Sequence, residues 1–314
     1  MRAEREAVEG ALLCAVVGDA LGVPVEFNGR LALARDPVTS MRGGGTWGQP
    51  AGTWSDDSSL LLCTAESLLR GFDTEDLGRR FVGWRRAEHW TPWGRVFDIG
   101  GATSEALTRI AEGIAAEQAG GSTERSNGNG SLMRILPVAL HAATLPVPEM
   151  LDRIHRASAI THRHPRSCMA CGLLALVVRR LLRGDPPDAA WADAKTKFTR
   201  WYGLAPWTAE WPQFSPWLSA DLAGLAESGI ASQGYVMDTL TASLWCLLTS
   251  QSYPDAVLKA VNLGGDTDTT GCVTGGLAGL WYGSEAIPSE WIVALARTEE
   301  VRSLIRTFAR MLFE

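Results

Sequence analysis

The sequence predicts an all-α fold, and three observations carry that prediction. Apolar residues recur at helical spacing along nearly the whole chain. Alternating stretches of the kind a half-buried strand needs are short or absent, and the connections between periodic segments are mostly short. About twelve such segments fit a single compact orthogonal multi-helix bundle over residues 1–314 better than a string of separate units.

The first helix is expected over 5–22, where a small-residue run ends before Pro24 and leaves Glu26 on the following loop. A carboxylate in that position is a candidate general base, although most such glutamates are only solvated. The second, 56–70, has Ser55 as a good N-cap and Asp56 and Asp57 in its first turn, where the helix dipole favours acids. Those two carboxylates and their neighbouring hydroxyls are equally a cluster of hard oxygen ligands of the kind that binds Mg²⁺ or Mn²⁺. Helix 74–87 comes next, then 100–117, which Asp98 precedes. Taken by itself, Asp98 reads as an acid at a helix start.

Asn127-Gly128-Asn129-Gly130-Ser131 is a Gly-rich turn leading into helix 131–142. Backbone N–H groups in such a turn can cradle a phosphate, although the Gly-Lys-Ser/Thr ending of a P-loop is missing. After helix 148–160, Thr161-His162-Arg163-His164 and then Cys168 and Cys171 open helix 166–183. The spacing does not fit a zinc finger, and both cysteines fall in an apolar helix, so buried thiols are the better reading. Helix 188–201 lies within a stretch, 184–233, that holds five of the 13 tryptophans: Trp191, Trp201, Trp207, Trp211 and Trp217. Its Pro and Ser content suggests irregular backbone. The reading preferred is a surface elaboration that packs its own aromatics, with a protein-partner surface as the alternative.

Helices 235–250, 253–262, 268–281 and 299–312 complete the chain. The third of these opens with Asp266-Thr267-Asp268-Thr269 and is otherwise built of small residues. Asp266, Asp268 and Thr269 at a helix start can converge on one point. With Ser55, Asp56 and Asp57 they make a shared binuclear metal site the better hypothesis, because four carboxylates brought together repel strongly unless cations neutralise them.

Composition sets the outer bounds. The chain has 314 residues, 46% apolar and 20% charged, and 29 Lys and Arg against 35 Asp and Glu give a net charge of −6. That balance argues against generic nucleic-acid binding through phosphate neutralisation. No uninterrupted apolar run approaches the roughly 20 residues of a membrane span. The N-terminal segment MRAEREAVEG carries both signs of charge where a secretory signal needs a basic start and an apolar core, and the six cysteines sit mostly in apolar stretches. A cytoplasmic location is expected.

Taken together and in order, the segments GALLCAVVGDALGVPVEF, GTWSDDSSL, FDIGGAT, GNGSLMRILPVAL, THRHP, GYVMDTLTASLWCLL and NLGGDTDTTGCVTGGLAGLWYG resemble the ADP-ribosylglycohydrolase family. That family includes dinitrogenase reductase-activating glycohydrolase and the ADP-ribosylhydrolases. The resemblance implies an all-α fold with two divalent cations, Mg²⁺ or Mn²⁺, held by Ser55, Asp56, Asp57, Asp266, Asp268 and Thr269. It places Asp98 among the active-site carboxylates, matches the family's loop glutamate to Glu26, and makes Asn129, Gly130, Ser131, His162 and Tyr235 substrate-facing. The implied activity is removal of ADP-ribose from modified protein side chains, arginine-linked N-glycosides first. The alternatives are hydrolysis of serine-linked or O-acetyl-ADP-ribose, or a binding or immunity protein of the same fold that occludes an ADP-ribosyltransferase. The Trp-rich stretch looks longer and more aromatic than the family leads one to expect.

Overall fold

The computed structural model describes residues 2–314, and the chain is 67% helical. Among the described residues there is no sheet, only three isolated β-bridges. In chain order the α-helices are α1 (Arg2–Gly22), α2 (Arg30–Arg35), α3 (Asp56–Leu68), α4 (Thr74–Ala87), α5 (Gly101–Ala111), α6 (Ala116–Ala119), α7 (Leu136–His141) and α8 (Val147–Ala159). They continue as α9 (Pro165–Leu181), α10 (Pro187–Tyr202), α11 (Trp211–Ser219), α12 (Val236–Leu248), α13 (Tyr253–Asn262), α14 (Thr267–Tyr282), α15 (Ser289–Ala294) and α16 (Thr298–Phe313).

One contiguous apolar core runs from Val8 to Ala309. Its axis is the pairing of α1 with α14, and the sequence shows why these two lie so close: glycines face each other along the seam. A Cβ added at Gly18 would lie 2.1 Å from the carbonyl of Gly271, and one at Gly275 would lie 2.3 Å from the carbonyl of Cys14. Only residues without side chains permit that approach. By length and composition Glu4–Val25 would suffice to cross a membrane, but from Gly10 to Val25 it is buried by the rest of the protein, which makes it the core of this fold.

Two expectations are corrected. The predicted helix 100–117 divides into α5 and α6, because Gly113 adopts φ +97° and ends the first part. The predicted helix 131–142 begins only at Leu136; residues 131–134 form turns that belong to the Gly-rich segment. The stretch 184–233 is more regular than its composition suggests, since α10, α11 and short 3₁₀ turns occupy much of it. Its aromatics pack inward. His155, Tyr202 and Trp207 pack together with centroid separations from 4.6 to 5.6 Å, and Phe198, 4.5 Å from Tyr202, joins them to Trp211 and Phe214 in one cluster. Trp191 is buried, and Trp201, Trp207, Trp211 and Trp217 pack against the core.

Candidate active site

Four chain segments meet in one cleft of about 340 Å³. The first is the N-terminus of α3. Ser55 caps it in extended backbone, its Oγ accepting from the Asp57 N–H at 3.3 Å, so Asp56 and Asp57 emerge where free amides and the helix dipole favour negative charge. The second is the N-terminus of α14, which Gly264 and Gly265 deliver through φ of +75° and +76°, values open to glycine without strain. Asp266 leads this helix and Asp268 lies in its first turn. Thr269 Oγ1 donates to Asp57 Oδ2 at 3.2 Å, which joins the two helix starts directly.

The third segment is the loop after α1, with Glu26 buried, and the fourth is the irregular approach to α5, with Asp98 half-buried. Glu26, Asp266 and Asp268 bring carboxylate oxygens within 4.8 Å of one another, a grouping that could hold a metal ion. The Gly-rich turn closes one side: Asn129 Nδ2 donates to Asp266 Oδ2 at 2.9 Å and its backbone N–H bonds to Gly234 O at 3.1 Å.

Electrostatics show how unusual this gathering is. Burial first, then the charge of Asp98, raises Glu26 to about 8 against the pull of a hydrogen bond from Trp47. Asp98 is raised to about 6, by burial and then by Asp266. Asp56, Asp57 and Asp268 are held well above the usual carboxylate range, in each case by burial first and then by a neighbouring carboxylate: Asp98 for Asp56, Asp19 for Asp57 and Glu26 for Asp268. Three buried oxygens, Asp57 Oδ1, Asp266 Oδ1 and Asp268 Oδ2, take no hydrogen bond from the protein. A buried carboxylate oxygen without a donor is costly unless a cation meets it. The donor set is all hard oxygen, which suits Mg²⁺- or Mn²⁺-type ions.

The cleft brings together most of the residues singled out in the sequence. Glu26, Asp56, Asp57, Asp98, Asp266, Asp268 and Thr269 line it together with Asn129, Gly130 and His162. Three stand outside the lining. Ser55 lies behind it, bonded to Asp19 and Asp57. Ser131 is fully buried against Ser158 and Cys171. Tyr235 sits at the rim, where its hydroxyl meets Arg166 at 3.1 Å; that guanidinium also bonds Glu124 and Glu210, tying the Trp-rich stretch to the cleft. Among the described residues no cysteine joins a metal-type grouping, and burial raises the thiol pKa values of Cys168 and Cys171.

Two residues that sequence reasoning missed complete the site. Asp19 in α1 is fully buried and raised by burial to about 7. It accepts from the N–H and Oγ of both Ser55 and Ser58, at 2.5 to 3.1 Å, and so fixes the start of α3. Trp47 is half-buried and stands edge-on between Phe27 and Phe97, with its N–H on Glu26. A lone charged residue in the apolar second half of α1, from Gly10 to Gly22, was the available signal for Asp19; Trp47 lies in a glycine-rich loop with none.

The all-helical fold is that of a glycohydrolase class. The profile of the ADP-ribosylglycohydrolase family matches residues 1–314, and the chain belongs to that family. It is 33% identical over 302 residues to the ADP-ribosylarginine hydrolase Tri1 of Pseudomonas putida, covering 94% of this chain and 76% of that one. It is 32% identical to the ADP-ribosyl-[dinitrogen reductase] glycohydrolase of Rhodospirillum rubrum, covering 91% and 89%. A solved ADP-ribosylglycohydrolase-related protein complex superposes over 100% of both chains with a TM-score of 0.83 and 35% identity.

Proposed function

We propose that this protein is a hydrolase that removes ADP-ribose from arginine side chains of modified proteins. The observation that carries the reading is the convergence of Asp56, Asp57, Asp266 and Asp268, with three partnerless buried oxygens, beside the Asn-Gly-Asn-Gly-Ser turn in a family of ADP-ribosylglycohydrolases.

Asp56, Asp57, Asp266, Asp268 and Thr269 would hold two divalent cations, Mg²⁺ or Mn²⁺, with Ser55 supporting them from behind. Such cations supply charge neutralisation and Lewis-acid polarisation at the ribose. The chain's own groups do the rest. Asn129 and Gly130 place the diphosphate at the turn. Asp98, ionised at neutral pH, takes a proton from the attacking water and offsets the positive charge that develops on the ribose ring. Glu26, whose proton burial holds more tightly than is usual for a carboxyl, gives that proton to the departing guanidino nitrogen. The C–N bond breaks, the C–O bond forms, and free ADP-ribose and arginine result. Six buried free cysteines support a reducing compartment such as the cytoplasm as the place of action.

The test is release of ADP-ribose from an arginine-ADP-ribosylated protein with Mg²⁺, with Mn²⁺ and with chelator, alongside a serine-linked substrate. Metal-dependent release from the arginine-linked substrate is expected. Release from the serine-linked substrate alone would reassign the linkage, and release from neither would overturn the proposal. The inward packing of the tryptophans gives an occluding-partner reading no separate support.

A further inference from the structure

Arg134 is fully buried, with its guanidinium 4.5 Å from the centre of the Phe81 ring. Its Nη2 donates to Thr161 Oγ1 at 2.8 Å and to the Ala157 carbonyl at 3.3 Å. An arginine side chain offers only donors, so on this contact Thr161 accepts. The single hydroxyl hydrogen of Thr161 is left for another acceptor, and 2.9 Å away stands Nδ1 of His162. If Nδ1 carried a proton, two donors would face the same oxygen. The buried hydroxyl hydrogen would then have no acceptor among the described residues, which is the costlier arrangement.

Burial, and then the charge of Arg134, pushes the His162 imidazole down to about 3, so at physiological pH the ring is neutral and has one N–H. With Nδ1 accepting, that N–H is on Nε2, which none of the described residues engages. The ring lines the cleft next to Gly128 and Gly130. A Cβ at Gly130 would lie 2.8 Å from Cε1, and one at Gly128 would lie 3.3 Å from Nε2. The two glycines thus clear the space in front of the ring.

We propose that Arg134 and Thr161 are positioning residues that lock His162 in its Nε2–H tautomer, giving the cleft a neutral hydrogen-bond donor for a substrate oxygen and denying it a base there. In taking that oxygen to belong to the diphosphate at the Gly-rich turn, the proposal rests on the function argued above. An anionic oxygen is the strongest acceptor such a donor meets.

The test begins without substrate. Protein labelled with ¹⁵N-histidine has five histidines to resolve, and long-range ¹H–¹⁵N correlation between pH 5 and 8 reads the state of each ring. His162, assigned through His162→Gln, is expected to show a protonated Nε2, a bare Nδ1 and no titration. A proton on Nδ1, or titration in that range, overturns the proposal whatever the enzyme acts on. Thr161→Val is expected to populate the other tautomer and to weaken ADP-ribose binding about tenfold, with kcat changed less than about twofold. Thr161→Ser, which keeps the hydroxyl, restores both. An unchanged tautomer and affinity in folded Thr161→Val overturn the relay. Failure of the wild-type protein to bind ADP-ribose overturns the assignment of the oxygen and the functional reading beneath it, while the tautomer result stands separately.

Discussion

The indole N–H of Trp47 donates to Oε2 of Glu26 at 2.5 Å, and Thr46 Oγ1 donates to the Glu26 carbonyl at 2.6 Å. A glycine-rich loop thus grips the proposed acid from outside the cleft. A hydrogen bond to the ionised form of a carboxyl lowers its pKa, so removing this donor raises a group that burial already holds at about 8. Trp47→Phe is expected to move the alkaline limb of the pH–rate profile upward by roughly half to one unit and to lower kcat about fivefold. An unchanged profile would show that Trp47 does not act on Glu26.

Wild-type activity should be bell-shaped. Asp98 works ionised and Glu26 works protonated, so kcat/KM is expected to rise as Asp98 loses its proton and to fall as Glu26 does, with both limbs lying below the cation-free values of about 6 and about 8 once the cations are bound. Asp98→Asn should erase the acid limb and slow turnover by roughly 100-fold or more, with ADP-ribose binding retained by calorimetry. If Asp98→Asn instead loses cation binding, Asp98 is a ligand and its role as base is wrong.

Asp57→Ala and Asp268→Ala each remove a buried carboxylate whose second oxygen has no protein donor. Turnover should fall by about 1000-fold or more in either variant and cation affinity should drop, with helical circular dichroism unchanged. Full activity in either would sink the proposed two-cation site.

Without cations, stability should depend on pH in the direction opposite to that usual for acids. Asp98, Asp19 and Glu26 are raised by burial to about 6, 7 and 8, so the folded state binds their protons more tightly than the unfolded chain does. The stability these protons contribute is complete below about pH 4 and is lost as pH rises through 6 to 8. The melting temperature of chelator-treated protein is expected to fall from pH 5 to pH 8, and Mn²⁺ should restore it most at the alkaline end. A melting temperature that rises over this range would contradict the assignment.

Asp19→Ala leaves the N–H groups of Ser55 and Ser58 buried without acceptors. The cost should be about 3 kcal/mol, or roughly 6 °C in melting temperature, together with weaker cation binding as the start of α3 loosens. Thermal melts and a Mn²⁺ titration check both parts.

What the sequence shows of this protein follows from how local the signals are. The starts of α3 and α14 were legible because a cap, two acids and a glycine pair lie within a few residues of the helices they begin. Asp19 was not, because its partners Ser55 and Ser58 lie 36 and 39 residues further along the chain. The short helix α2 escaped for a related reason. Arg30 is held by the carbonyls of Leu263, Glu227 and Ile230, contacts that no periodicity within Arg30–Arg35 reports. The placement of Ser131 behind the cleft and of Tyr235 at its rim depends on how the Gly-rich turn packs against α9 and α12, which spacing along the chain does not encode.

The glycine seam between α1 and α14 has a consequence for how the enzyme comes into being. Thr267 Oγ1 bonds to the carbonyl of Gly22 across 245 residues of sequence, where the end of α1 meets the start of α14. Closing so long a loop is entropically costly, and the contacts that reward it exist only once α14 is available to lie against α1. The acids that lead α3 and those that lead α14 therefore share one cleft only in a chain made almost to its end, since α14 begins at Thr267.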